Sequence, residues 1–286
     1  MKKIMRTKTS VIGLICGWLL LFGIVPILML LTSSFLSQDA TGFYRFPFSL
    51  TSYRQLFLDP GYLEVMLRSV KLAVLTTLCC LAAGYPFSWF TVRIPKRQRL
   101  VILILLMIPF WTNSLVRTYA IRTVLGTHGL LNTLLLATGV IHTPLKLLYT
   151  DTAVILGLFY LMLPFMILPL YANLEKLDYR LVEAARDLGA SPLQIFRRVI
   201  VPLSLPGIFA GCIMVFVPTM GLFYVASLLG GARQLLIGNL IQQQFLNARN
   251  WPLGSATSVL LILLMAIMLA GYTMVMRRLA ARGQRS

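Results

Sequence analysis

Residues 152–174, TAVILGLFYLMLPFMILPLYANL, run for 23 positions without a charge, and residues 175–204, EKLDYRLVEAARDLGASPLQIFRRVIVPLS, place nine charges in the next 30. The first stretch is long enough to carry an α-helix across a hydrocarbon core about 30 Å thick, at about 1.5 Å per residue. The second is patterned as two short amphipathic helices. Asp178 is placed to cap the first, in which Leu181, Ala184, Ala185 and Leu188 recur at i, i+3, i+4 and i+7. Gly189 follows as a C-cap able to take positive φ. Ser191-Pro192-Leu193-Gln194 then joins an N-cap serine, a proline at N1 and a glutamine at N3, the arrangement of a capping box. Ile195, Phe196 and Val199 form an apolar stripe beside Arg197 and Arg198, and Pro202 and Pro206 are expected to end the excursion.

Outward from this pair, further uncharged runs of suitable length lie at 11–31, 72–92, 100–116, 205–229 and 255–276. With 152–174 they make six expected spans and an all-α, polytopic membrane protein with a single transmembrane domain. The composition of the 286 residues agrees: 58% are hydrophobic and 12% charged, with a mean hydropathy of +0.83, whereas soluble domains carry about 25% charged residues. The third run is short and holds Pro109, but Arg117 at its end adds usable length by reaching toward the headgroups. The first run is read as a retained span, because no small-x-small cleavage pattern follows it before Phe35.

A net charge of +18 would point to a nucleic-acid partner in a soluble protein, but here the cations cluster between apolar runs. Six spans with the N-terminus inside place 17 of the 26 Lys and Arg on the cytoplasmic side, and both termini there too. A seventh span at 129–141, GLLNTLLLATGVI, would leave only 11 inside, against the positive-inside bias. That segment is therefore expected to be an external or interfacial helix.

Several functions are disfavoured by what the chain lacks. All eight carboxylates fall in loops or at span ends, which leaves a proton relay without a carrier. The only histidines, His128 and His142, belong to no H-E-x-x-H pattern, and no G-x-S-x-G occurs, so no catalytic residue is assigned. No G-x-x-x-x-G-K-[ST] is present, which assigns any ATP chemistry to another polypeptide. Cys16, Cys79, Cys80 and Cys212 sit in apolar runs without metal-ligand spacing and are expected to be packing residues; no metal or cofactor is expected.

The motif Glu183-Ala184-Ala185, three residues, Gly189, nine residues, Val199-x-Val201-Pro202 resembles the EAA loop of bacterial ABC import permeases, with valines at two positions usually held by Ile and Leu. In that family the loop forms a coupling helix seated in a cleft of the ATPase subunit. The resemblance implies that Glu183, Ala184, Ala185, Gly189 and Pro202 couple this chain to an ATPase. The pattern alone also fits a helix lying on the bilayer with its arginines toward anionic lipid. The stretches 109–117, 163–171, 183–191, 221–224 and 250–252 further resemble the first permease subunit of spermidine/putrescine importers. That implies a second related permease, two copies of an ATPase, a periplasmic substrate-binding protein and a place in the bacterial inner membrane.

A polyamine pathway should offer carboxylates or aromatic faces, the latter worth about 0.5–2 kcal/mol each as cation-π contacts. Trp111, Thr112, Asn113, Ser114 and Tyr119 on the third span, with Phe223, Tyr224 and Ser227 on the fifth, are the candidates, against the alternative that the aromatics are interfacial belt residues. One feature departs from the polyamine permeases: the segment GLFYVASLL at 221–229 has Ser227 where such permeases often carry an acid. Either the partner permease supplies the charge or the solute is another. The expected function is ATP-driven import of spermidine and putrescine by alternating access. Its rivals are the same architecture for a different solute and a non-transporting membrane scaffold.

Overall fold

The computed structural model describes residues 13–38, 44–45, 48–231 and 235–283. Residues 11 and 12 of the expected first span, the basic Lys2, Lys3, Arg6 and Lys8, and Arg233 and Arg285 lie outside the described residues.

Helix α1, Gly13–Ser34, contains a π turn over Leu20–Ile24; the wider turn precedes Pro26, whose ring removes one backbone donor. A two-residue antiparallel pairing of Ser37–Gln38 with Tyr44–Arg45 follows. Helix α2 is Thr51–Leu58 and α3 is Pro60–Arg93. Helix α4, Lys96–Trp111, ends in a tight turn at Pro109, and α5 is Ser114–Leu125. Helix α6, Leu130–Ala137, has eight residues, which span about 12 Å and cannot cross a bilayer. Next come α7, Asp151–Leu174, and α8, Tyr179–Asp187, then α9, Pro192–Gly221. Helix α10, Phe223–Val225, continues as a π turn over Ala226–Gly230. Helix α11, Ile237–Gln242, continues likewise over Gln243–Asn247, and α12 is Trp251–Gly283.

Five of these helices (α1, α3, α7, α9 and α12) are long and apolar enough to span a membrane. A sixth is obtained when Lys96–Trp111 and Ser114–Ala137, bent by 92° against each other, count as one broken span. The chain is thus an all-α membrane protein. Helix α9 departs from the expected pattern: it passes through Pro202 and Pro206 instead of stopping there, so loop and span form one helix. The π turn over Phe196–Ile200 lies just before Pro202 and accommodates the donor that this proline lacks, while Pro206 sits within regular α-helix.

The described residues fall into two compact units. In the first, Met1–Glu64 with Leu240–Leu264, Leu56, Leu253 and Ala256 are buried against Tyr53, Tyr62 and Leu260. Tyr53 donates to Ser34 Oγ at 2.8 Å, and Phe245 meets Trp251 edge-on at 5.5 Å.

The second unit, Val65–Asn239 with Met265–Ser286, is organised around α7 packed on α9. Leu158, Leu161, Met166, Leu170, Val215, Val225 and Leu229 are all but inaccessible there. The two helices touch closely because small residues line the seam: a Cβ at Gly207 would lie 2.6 Å from Asn173 Cβ, and one at Gly211 2.7 Å from Met166 Sδ. Of the four cysteines, all free, Cys80 is buried and Cys212 half-buried, whereas Cys16 and Cys79 face outward. The expectation that all four pack inside is corrected for these two, since a helix apolar all round gives no signal of which side meets protein.

Candidate functional site

Helix α8 is set by local chemistry at both ends. Asp178 accepts a 3.0 Å hydrogen bond from the Arg180 N–H, capping the start. At the other end Ala190 N–H donates to Ala185 O at 3.0 Å and Gly189 N–H to Arg186 O at 2.8 Å, with Gly189 at φ +78°. This is a Schellman closure, in which glycine takes the left-handed position without a Cβ penalty. One residue later Ser191 and Gln194 exchange side-chain and backbone bonds across the start of α9, and Pro192 sits at N1.

The turn rests on the ends of α3 and α7. Val182, Ile195 and Ile200 are buried with Val92 and Leu174, and Trp89, Tyr171 and Leu177 pack around them. Each such side chain contributes about 1.5–3 kcal/mol by leaving water. Arg99 braces the base: it pairs with Glu175 at 2.9 Å and donates to the carbonyls of Val92 and Ile94.

Of the residues that the i, i+3, i+4 and i+7 spacing placed on one face of α8, only Ala185 is partly buried. Val182 and Ala185 turn inward, while Ala184 is exposed and Leu181 and Leu188 stand 49% and 88% exposed. The short turn at Glu175–Asp178 that leads into α8 is held by bonds from Lys176 N–H to Asn173 O and from Leu177 N–H to Leu174 O. Leu193 on α9 is 66% exposed as well. Three leucines and Ala184 therefore form an outward apolar face around Gly189, and Glu183 is exposed beside it. Pro202 lies further along α9, inside the helix.

The second group of candidates gathers where two helices break. Between α4 and α5 the chain turns at Thr112 and Asn113: Thr112 Oγ1 donates to Pro109 O at 2.7 Å, and Asn113 Oδ1 accepts from Leu115 N–H at 2.8 Å. These two residues cap the break, a structural duty sufficient to explain their identity. Trp111 is 83% exposed at the break, Ser114 starts α5, and Tyr119 projects outward one turn on. The other break, at Leu222 between α9 and α10, packs its following residues on α5. Phe223 meets Tyr224 edge-on at 6.1 Å, with Phe223 exposed and Tyr224 half-buried. The candidates on α5 and α10 thus share one region of the second unit.

Asn239, which the sequence did not single out, organises that region. Its Nδ2 donates to Ser227 Oγ at 2.7 Å and to Phe223 O at 3.0 Å, and its Oδ1 accepts from Leu236 N–H at 3.0 Å. Asn239 is 5% exposed. The α11 segment is fastened from its other side by the Ile237 N–H, which donates to Ser69 Oγ at 2.7 Å. Among the described residues no group of His, Cys, Asp and Glu is arranged to hold a metal. The residues gathered here offer neutral polar groups and aromatic faces.

Known proteins share this architecture and sequence. A chain of the bacterial alginate ABC transporter, solved in complex with an alginate pentasaccharide-bound periplasmic protein, superimposes with a TM-score of 0.76 over 97% of this chain and 96% of its own at 16% identity, a likeness of fold alone. The spermidine/putrescine transport system permease protein PotB of Escherichia coli K12 is 54% identical over 258 residues, covering 90% of this chain and 94% of that protein. PotB of Salmonella typhimurium SL1344 is 52% identical over 272 residues, 95% and 94% of the two. With residues 64–282 matching the family model as well, the chain belongs to the binding-protein-dependent transport system inner membrane components.

Proposed function

We propose that this chain is one of two permease subunits of an ATP-driven importer that carries spermidine and putrescine across the bacterial inner membrane by alternating access. The substrate class is supported by relatives more than 50% identical over at least nine tenths of this chain and named for those polyamines. The mechanism is supported by the exposed leucine face around Gly189, mounted on α8 and α9. In this reading one of the two copies of an ATPase grips that face from the cytoplasm, through Glu183, Ala184, Ala185 and Gly189, and the other engages the second permease. A periplasmic binding protein delivers solute at the opposite surface, and both termini are cytoplasmic. ATP binding closes the ATPase pair, displaces α8, and reorients the spans around a path lined by Trp111, Tyr119, Phe223, Tyr224 and Ser227.

The neutral bond from Asn239 to Ser227 favours one second reading, the same machine for a solute without positive charge. ATP hydrolysis by the complex in nanodiscs, with ATPase, second permease and loaded binding protein, decides between them. Stimulation by spermidine and putrescine alone supports polyamine import with negative charge supplied by the partner permease. Stimulation by a non-cationic solute alone keeps the architecture and replaces the substrate.

A further inference from the structure

Tyr149, two residues before the start of α7, stands at φ +64°. A bulky side chain rarely adopts this left-handed conformation, which persists only where the surroundings fix it. Burial is not the cause, since Tyr149 is 55% exposed. Three attachments hold it instead. Its N–H donates to Leu229 O at 2.7 Å, its hydroxyl accepts from Arg122 Nη2 at 3.3 Å, and its ring covers Gly231. Gly231 is itself at φ +67°, and a Cβ there would lie 2.8 Å from Tyr149 Cδ1, so no side chain fits under the ring. The loop behind Tyr149 is braced by Asn132, 1% exposed, which donates to Gly126 O and Leu145 O and accepts from the Leu145 N–H. Arg122 follows Tyr119 by three residues on α5, and Leu229 follows Ser227 by two on the π turn. One strained residue thus ties together the two elements that carry the path candidates, from a segment that belongs to neither.

We propose that Tyr149 is a clasp, which holds α5 and the π turn together on the outer side of the solute path and releases them when the path opens outward. The inference rests on the proposed function, which places the 126–150 segment outside and the path between these two elements. Breaking the bond to Leu229 O frees Tyr149 to return to an ordinary backbone conformation. The strain therefore opposes the closed clasp, while the ring and hydroxyl contacts support it. Such opposition brings the closed and open arrangements near one another in free energy, as an alternating path requires.

The complex with ATPase and second permease is expressed with Ser227→Cys in a chain that keeps only buried Cys80 of its own four thiols. Intact spheroplasts and inside-out vesicles are treated with a membrane-impermeant maleimide, and labelling of the two thiols is followed by peptide mass spectrometry. In spheroplasts Tyr149→Ala, which keeps the strain and removes the ring, should speed labelling at position 227 by about tenfold. Tyr149→Gly, which removes the strain as well, should give a smaller rise. Gly231→Ala, which displaces the ring, should match Tyr149→Ala and decides the matter alone if that variant does not accumulate. Cys80 should stay unlabelled in every variant. Unchanged rates in Tyr149→Ala and Gly231→Ala, or labelling that spreads to Cys80, overturns the clasp. Labelling confined to inside-out vesicles, whatever residue stands at 149, overturns the outer placement taken from the proposed function and the outward side of the clasp with it.

Discussion

Asn239 and Ser227, twelve residues apart, are joined by a 2.7 Å hydrogen bond that fastens α11 to the π turn following the break at Leu222. Asn239 is 5% exposed, its bond from the Leu236 N–H is buried, and those to Phe223 O and Ser227 Oγ are partly buried. Asn239→Leu should destabilise the chain by about 1–3 kcal/mol, the cost of leaving the buried Leu236 N–H unpaired. Thermal unfolding in nanodiscs measures this, and an unchanged midpoint would show that the α11 segment is not held by this side chain. Ser227→Ala, which removes one acceptor near solvent, should cost less than about 1 kcal/mol.

Gly189→Val tests the turn without disturbing its surroundings. A Cβ at Gly189 meets no atom within 4 Å, so the penalty is confined to the φ of +78° and amounts to about 1–2 kcal/mol. Membrane insertion should persist while substrate-stimulated ATP hydrolysis by the reconstituted complex is lost. Normal stimulation would remove Gly189 from the coupling role.

Leu188→Asp places a charge on a side chain that is already 88% exposed. Stability of the isolated chain should change by no more than about 0.5 kcal/mol. Co-purification with the ATPase should fall at least tenfold. Retention of the ATPase would mean that the leucine face meets lipid instead.

Arg99→Met and Glu175→Gln remove opposite ends of one ion pair and should differ in effect. Glu175 is 44% exposed, which limits the pair itself to about 0–1 kcal/mol after solvent screening. Arg99 also holds two backbone carbonyls at the turn between α3 and α4, and such charged bonds are worth about 1.5–3 kcal/mol. Urea unfolding midpoints of the two variants give the comparison, and equal losses would assign the whole effect to the ion pair.

A reporter tag fused after Ser286 checks orientation. Both termini are proposed to be cytoplasmic, so the tag should resist external protease in intact spheroplasts and be cleaved after lysis. Cleavage in intact spheroplasts would contradict the proposed arrangement.

What could be deduced from sequence was local in origin. The caps at Asp178 and Ser191 and the left-handed turn at Gly189 depend on residues within a few positions of one another, and short-range chemistry fixes them. The heptad spacing identified a helix at α8 but not which side meets protein, because leucines facing a partner and leucines facing a core repeat alike. Pro202 and Pro206 resemble terminators because proline removes a donor, a rule that the preceding π turn relaxes at Pro202. Asn239 gave no signal, since its significance arises only when α11 returns to the break at Leu222. Thr112 and Asn113 were candidates for the pathway by polarity, and the structure gives both a capping role.

The continuity of α9 with the loop has a mechanical consequence. Its 30 residues make a rod of about 45 Å, so a pivot of about 10° at the Ser191 end displaces the Gly221 end by about 8 Å. Close contact with α7 at Gly207 and Gly211 resists buckling midway. A push on Leu193 would thereby arrive at Gly221 as leverage, with the turn at Gly189 and the break at Leu222 as the joints at its two ends.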